Sequence, residues 1–251
     1  MSYIAVVTYS TLSKLAEIAE DQWGLVTRRQ ADRAGVSPAT LQRLSATGSF
    51  LGRVAHGVYH LAGTPASDHM ELRAAWLQLV PDVPAWERKP REGVVSHRSA
   101  AALYGLGHLA ADCHEFTVAR RKQTRRTDVR LHHRQLNPSE SVRHRGLPVT
   151  RPCRIAADLL LDGEEPEAVA HVVADAIRGS YDYPGMFAAA LAPFAMRFGF
   201  RRGDGLALLR WLLDLVGDPQ AAQWLEEARE QVTRAAQERA EEAALPGIPS
   251  P

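Results

Sequence analysis

Arg120, Arg121, Lys122, Arg125 and Arg126 place five cations within seven residues. They lie between two runs that read as strands, Glu115 to Ala119 and Thr127 to His132. At a hairpin tip such a run serves either as a phosphate-contacting finger or as a solvated turn, and composition leaves both readings open. A second group sits in the stretch that opens at Ser37-Pro38. At helical spacing Leu41 and Leu44, with Val36 nearby, form one face, while Ala39, Gln42, Arg43 and Ala46 form the other, flanked by Thr40 and Thr47. Small residues let a helix approach a groove closely, and Gln and Arg match adenine and guanine edges there. Thr40, Gln42 and Arg43 are therefore the expected groove contacts, with Ser37 touching phosphate at the helix start.

The elements that must position these residues follow in order from Thr11 to Leu61. Leu12, Leu15, Ile18 and Ala19 predict a first helix, ended by Gly24, and Leu25-Val26 a short extended connector. Thr27 is a good N-cap for a second helix, Arg28 to Ala34, closed by Gly35. Ser37 and Pro38 open a third helix that runs to about Thr47 and stops at Gly48. Phe50 to Val54 and Val58 to Leu61, joined through Ala55-His56-Gly57, predict a hairpin. Three helices and a hairpin in this order describe a winged helix-turn-helix. Arg28 and Arg29 at the start of the second helix, and Arg53 and His56 in the wing, are expected on the nucleic-acid backbone.

The charge balance agrees with an anionic partner. The formal net charge of +1 divides into 22 Lys and Arg against 13 Asp and Glu in residues 1–154, and 8 against 16 in residues 155–251. The first part is thus basic by nine and the second acidic by eight, and 27 of the 30 basic residues are Arg. With 45% hydrophobic and 24% charged residues, 251 positions suit one large or two modest folded domains and exclude a disordered or collagen-like chain. Cys113 and Cys153 have no metal-ligand spacing, and His132-His133 would point to opposite strand faces, so no metal site or cofactor is expected. The stretch Met1 to Thr11 has no basic region or cleavage-like site, and the longest apolar run, Leu206 to Val216, is too short for a bilayer. A cytoplasmic protein without membrane contact is expected.

Beyond residue 65, Glu71 to Val80 predicts a helix with Leu72, Ala75, Trp76 and Leu79 inward, then a Pro-rich loop, a short strand at Val94-Val95 and an Ala-rich helix. Thr150 is placed to cap a helix with Pro152 in its first turn, and Arg154 and Asp158 to pair four apart along it. From Pro166 the pattern is helical, Arg234 to Glu242 lacks an apolar stripe and is expected to fray, and Pro246 to Pro251 to be unstructured.

Taken together, Gly57-Val58-Tyr59, Ser99-Ala100-Ala101-Ala102-Leu103-Tyr104-Gly105-Leu106 and Leu147-Pro148-Val149-Thr150-x-Pro152-x-Arg154 resemble the AbiEi family over about residues 11–162. The last two motifs are the most specific. Members usually have Thr after the final Arg, where this chain has Ile155, a departure that touches only a local hydrogen bond. The resemblance implies an antitoxin and transcriptional repressor of a type IV toxin–antitoxin system. Its N-terminal winged helix would bind double-stranded DNA at operator inverted repeats and autoregulate the operon. The following domain would act against a nucleotidyltransferase-type toxin, which need not be bound directly.

The same arrangement also resembles proteins that continue into a restriction-endonuclease-like domain. That chemistry needs an acidic residue and an acidic-x-Lys pair on neighbouring strands, and no lysine follows residue 155. Gly203-x-Gly205 likewise lacks the third glycine and preceding strand of a phosphate loop. A non-enzymatic regulator is the expectation; the alternatives are an endonuclease-related protein and an interaction module that binds a toxin through its winged helix. The expected fold is α+β: a winged helix-turn-helix domain at 1–64, a mixed α/β antitoxin-type domain at 65–162, a helical region at 163–245 and a disordered tail at 246–251.

Overall fold

The computed structural model describes residues 3–46, 48–65 and 67–244. Thr47 and the expected tail at 246–251 lie outside the described residues. The described chain is α+β. In order it forms α1 (Tyr3–Glu20), β1 (Leu25–Thr27), α2 (Arg28–Arg33), α3 (Pro38–Ala46), β2 (Leu51–Ala55), β3 (Val58–Leu61) and α4 (Met70–Leu79). There follow β4 (Val94–Val95), α5 (His97–Tyr104), β5 (His114–Val118), β6 (Val129–His133), β7 (Ser141–His144), β8 (Leu147–Thr150) and α6 (Pro152–Asp162). The remainder is α7 (Pro166–Arg178), α8 (Pro184–Leu191), a 3-10 segment (Ala192–Phe198), α9 (Gly205–Val216) and α10 (Ala221–Ala244). No described helix is long and apolar enough to cross a membrane.

The chain divides into two compact units that interleave in sequence. The first comprises Met1–Val95, Cys113–Leu136 and Arg145–Pro148, the second Ser96–Asp112, Asn137–His144 and Val149–Pro251.

In the first unit, α1, α2 and α3 enclose a core of Leu15, Ala19, Ala31, Val36, Leu41 and Leu44. Leu25–Thr27 is more than a connector, because it joins a three-stranded antiparallel sheet of order β1-β3-β2. Leu25 faces His60 and Thr27 faces Val58, and a bulge between Arg53 and Ala55 bends the β2–β3 hairpin. Gly24 leads into β1 at φ +75°, and a Cβ there would stand 2.2 Å from the Thr64 hydroxyl, so glycine is required. The first helix begins at Tyr3 rather than Thr11. Low intrinsic propensity in a Val-, Ile- and Thr-rich stretch does not by itself forbid a helix.

Buried polar groups tie this bundle to the loop after α4. Gln22 Nε2 donates to Gln30 Oε1 at 2.8 Å, and Gln30 Nε2 returns the bond to Gln22 Oε1 at 3.0 Å. The same two amides take the Ala85 N–H at 3.0 Å and donate to the Val83 carbonyl at 3.2 Å. Thr27 caps α2 in a capping box with Gln30, and its hydroxyl also donates to the Pro81 carbonyl at 2.5 Å. Paired this completely, the buried amides avoid the desolvation penalty of an unmade bond.

The helix α4 packs against β1, β2, β3 and β5. Its C-terminal carbonyls, which lack intrahelical donors, are taken by Arg88. Arg88 is 8% exposed, and its guanidinium lies 4.3 Å over the Trp76 ring and donates to the carbonyls of Trp76 at 2.6 Å, Val80 at 2.5 Å, Val83 at 3.3 Å, and Leu77. Burial pulls its pKa down to about 10, which still leaves it charged at neutral pH.

Strands β6, β5 and β4 lie side by side. β4 runs antiparallel to β5, whereas β5 and β6 are parallel, with His114 beside Val129 and Val118 beside His133. The expected hairpin at 115–132 is therefore incorrect. Residues 119–128 form a crossover that returns along the length of β5, and the basic run is not a hairpin tip. Alternating side chains do not encode strand direction, and ten extended residues, about 33 Å, are long enough for the return.

In the second unit the helices α5 to α10 bury Leu159, Val169, Val173, Phe187, Leu208 and Leu212. Arg154 bonds Asp158 at 2.9 Å, as their spacing predicts, and also Glu140 at 2.7 Å. Thr150 does not cap α6. It belongs to β8, and the N-cap position falls to Arg151, whose side chain makes no cap bond and instead pairs with the buried Asp182 at 2.7 Å. Asp182 also accepts the Cys153 N–H at 2.9 Å, taking over a donor left open at the helix start. Residues 234–242, expected to fray, continue α10.

Arg88 supplies the prediction of this fold. Replacing Arg88 by Ala strips charged donors from several buried carbonyls and lowers the free energy of unfolding by about 3 kcal/mol, and Arg88→Lys recovers little because an ammonium lacks the planar fork. Urea denaturation checks this; a decrease below about 1 kcal/mol contradicts the capping role.

Candidate nucleic-acid interface

Two features of the first unit display the basic and polar side chains. The first is α3. Its short length and the Pro38 start fix it against the core through Leu41 and Leu44, which are buried. Ser37 Oγ accepts the Thr40 N–H at 3.2 Å and shares a bond with Thr40 Oγ1 at 3.0 Å, so both hydroxyls serve the helix start. Ala39, Gln42, Arg43 and Ala46 are exposed together. Among the described residues neither the Gln42 nor the Arg43 side chain has a hydrogen-bond or ion-pair partner.

The second feature is a cleft of about 560 Å³ that gathers Arg28, Arg29 and His56 beside Lys122, Arg125 and Arg126. The last turn of α4 holds it together. Gln78 donates its amide to the His56 carbonyl and accepts from Arg126, while Lys122 donates to the Leu79 carbonyl. The Arg28 N–H reaches the Gly57 carbonyl at 2.8 Å, joining the start of α2 to the β2–β3 turn. Burial, and then the Arg88 guanidinium, lower the pKa of Lys122. Arg126 also chelates Asp128 and holds that carboxyl down to about 2. Arg29 pairs with Asp82 at 3.2 Å, but its side chain stays 66% exposed, so the pair is weak. Arg53 bonds His56 at 3.1 Å beside the hairpin turn. Arg120 and Arg121 are exposed and do not line the cleft.

Residues 13–62, which span the C-terminal part of α1, α2, α3 and the sheet β1-β3-β2, match the family described as a transcriptional regulator, AbiEi antitoxin. Over those residues the chain is similar to AbiEi regulators. A search of curated proteins gave no match. The matched segment contains Arg28, Arg29, Ser37, Thr40, Gln42, Arg43, Arg53 and His56, and the run at 120–126 lies outside it.

Folding thus brings Arg28, Arg29 and His56 together with residues 122–126 at one cleft and leaves the α3 face as a distinct display. Sequence reasoning missed Gln78, which bonds to both groups, and Asp82, which takes Arg29 and Arg33. Gln78 left one trace, as a lone amide between Leu77 and Leu79 near the end of an otherwise apolar helical stretch.

Gln78→Met keeps the size of the side chain and removes both bonds. Backbone amide exchange at residues 122–126 is expected to rise about tenfold with the rest of the first unit unchanged. Hydrogen-exchange mass spectrometry reads this, and unaltered exchange would show that the loop is held by other means.

Proposed function

We propose that the chain is a sequence-specific DNA-binding transcriptional repressor that acts as the antitoxin of a type IV toxin–antitoxin pair and autoregulates its operon. The observation that supports this reading is the exposed α3 face of Ala39, Gln42, Arg43 and Ala46 inside the segment that matches AbiEi regulators. In this reading residues 1–64 are a winged helix-turn-helix domain, with α3 as the recognition helix and β2–β3 as the wing.

Thr40, Gln42 and Arg43 meet base edges in the major groove, and Ser37 lies against phosphate at the helix start. Arg28, Arg29, Arg53 and His56 position the domain on the backbone. The run Arg120, Arg121, Lys122, Arg125 and Arg126 adds a second set of phosphate-binding cations from the crossover loop. The partners are operator inverted repeats in cytoplasmic DNA and, functionally, a nucleotidyltransferase-type toxin. The role assigned to the protein is non-catalytic.

Fluorescence anisotropy on DNA from the chain's own promoter tests the assignment. Arg43→Ala weakens binding by about 1–3 kcal/mol and relaxes sequence selectivity. Changing Arg120, Arg121 and Arg125 together to Gln leaves selectivity alone and flattens the logarithmic salt slope by about 0.9 for each phosphate that is no longer neutralised. Promoter binding that ignores both sets of changes sinks the site assignment.

A further inference from the structure

The cleft beside α4 has a composition that a duplex backbone does not require. Its inner wall is apolar, built from Ala75, Leu79, Val129 and Leu131, and its rim is cationic, from Arg28, Arg29, Lys122, Arg125 and Arg126. Duplex phosphates need cations on an accessible surface and gain nothing from a recessed hydrocarbon wall. An apolar wall under a charged rim fits a ligand with one flat, weakly polar part and one strongly anionic part. At about 560 Å³ the cleft falls inside the range of about 300–1,000 Å³ usual for small-molecule sites.

The rim is only partly neutralised internally. Asp82 takes Arg29, and Asp128 takes Arg126. Arg28 and Arg125 have no carboxylate partner among the described residues, and Lys122 spends its ammonium on a neutral carbonyl. Four of the five cations are Arg, whose planar fork suits the paired oxygens of a phosphate better than a point charge does. Gln123 also lines the cleft and offers an amide of the kind that reads a base edge.

We infer that this cleft binds a nucleoside phosphate, with the phosphate on Arg28, Lys122 and Arg125 and the base against the apolar wall. The cleft is bordered by the start of α2 and by the His56–Gly57 turn. A bound nucleotide therefore occupies cations that the DNA reading assigns to the backbone, and the two compete. Occupancy of the cleft stands by itself; the competition rests on the DNA reading.

Isothermal titration of the full chain with AMP, GMP, ATP and GTP, without DNA, tests occupancy. Inorganic phosphate and the bare nucleosides serve as half-ligands, and a duplex of unrelated sequence as the other source of phosphate esters. Saturable nucleotide binding is expected, at least about tenfold tighter than either half-ligand. The double variant Arg28→Gln, Arg125→Gln weakens it by at least about tenfold, and Arg202→Gln, an exposed arginine in the second unit, leaves it unchanged. Circular dichroism checks that the variants fold.

Three results overturn the inference: no nucleotide binding at millimolar concentration, inorganic phosphate binding as tightly as any nucleotide, or displacement by the unrelated duplex alone with the double variant unaffected. Promoter binding is then measured with and without saturating nucleotide, where a fall of about fivefold or more is expected. Nucleotide binding without any promoter affinity would overturn the DNA reading and leave the cleft assignment standing. Promoter affinity that nucleotide does not change would overturn the competition.

Discussion

The last turn of α4 is the point on which the first unit's charged architecture depends. A helix C-terminus presents carbonyls without partners and carries partial negative charge, so cations are stabilised there. Arg88 reaches it from the following loop and Lys122 from the crossover between β5 and β6. Gln78 adds the β2–β3 turn and Arg126, and the Pro81 carbonyl just beyond adds Thr27 at the start of α2. A loop with five cations in seven residues repels itself in isolation. Folded onto a negative helix end, part of that repulsion is offset, and the remaining charge is directed into the cleft and toward solvent.

The abundance of arginine resolves into two uses. In the second unit Arg98 pairs with Glu164, Arg151 with Asp182, Arg154 with Glu140 and Asp158, and Arg178 with Asp175 and Asp218. Those arginines are structural, and all their partners except Glu140 belong to the acid-rich part of the sequence. In the first unit Arg28, Arg43, Arg120, Arg121 and Arg125 have no carboxylate partner among the described residues. The basic excess read from residues 1–154 is thus partly cancelled on folding, by the pairs of Arg98, Arg151 and Arg154 with acids beyond residue 155, and partly left available on these five arginines.

The order of elements from Leu12 to Leu61 was legible because each signal in it is local. Thr27 caps α2 with Gln30 only three residues away, Ser37 and Pro38 start α3, and Gly57 turns the hairpin, all through bonds and dihedrals that span a few positions. The exposed face of α3 followed from a 3.6-residue period for the same reason. The motif around residues 147–154 was recognisable, but its capping residue was not. Thr150 has the chemistry of a cap, yet the strand β8 claims it, and a carboxylate 32 positions further on satisfies the helix start instead.

By itself the sequence determined the local elements of residues 12–61, the polar face of α3 and the division of charge, since these depend on residue type and short-range geometry. Only the tertiary structure decided that β1 is a strand, that β5 and β6 run parallel, and that Arg28 and Arg125 share a cleft. Strand pairing, strand direction and the meeting of residues about a hundred positions apart are set by which surfaces can be buried together. Alternation, charge and spacing along the chain are the same for either strand direction, so the choice between them belongs to packing.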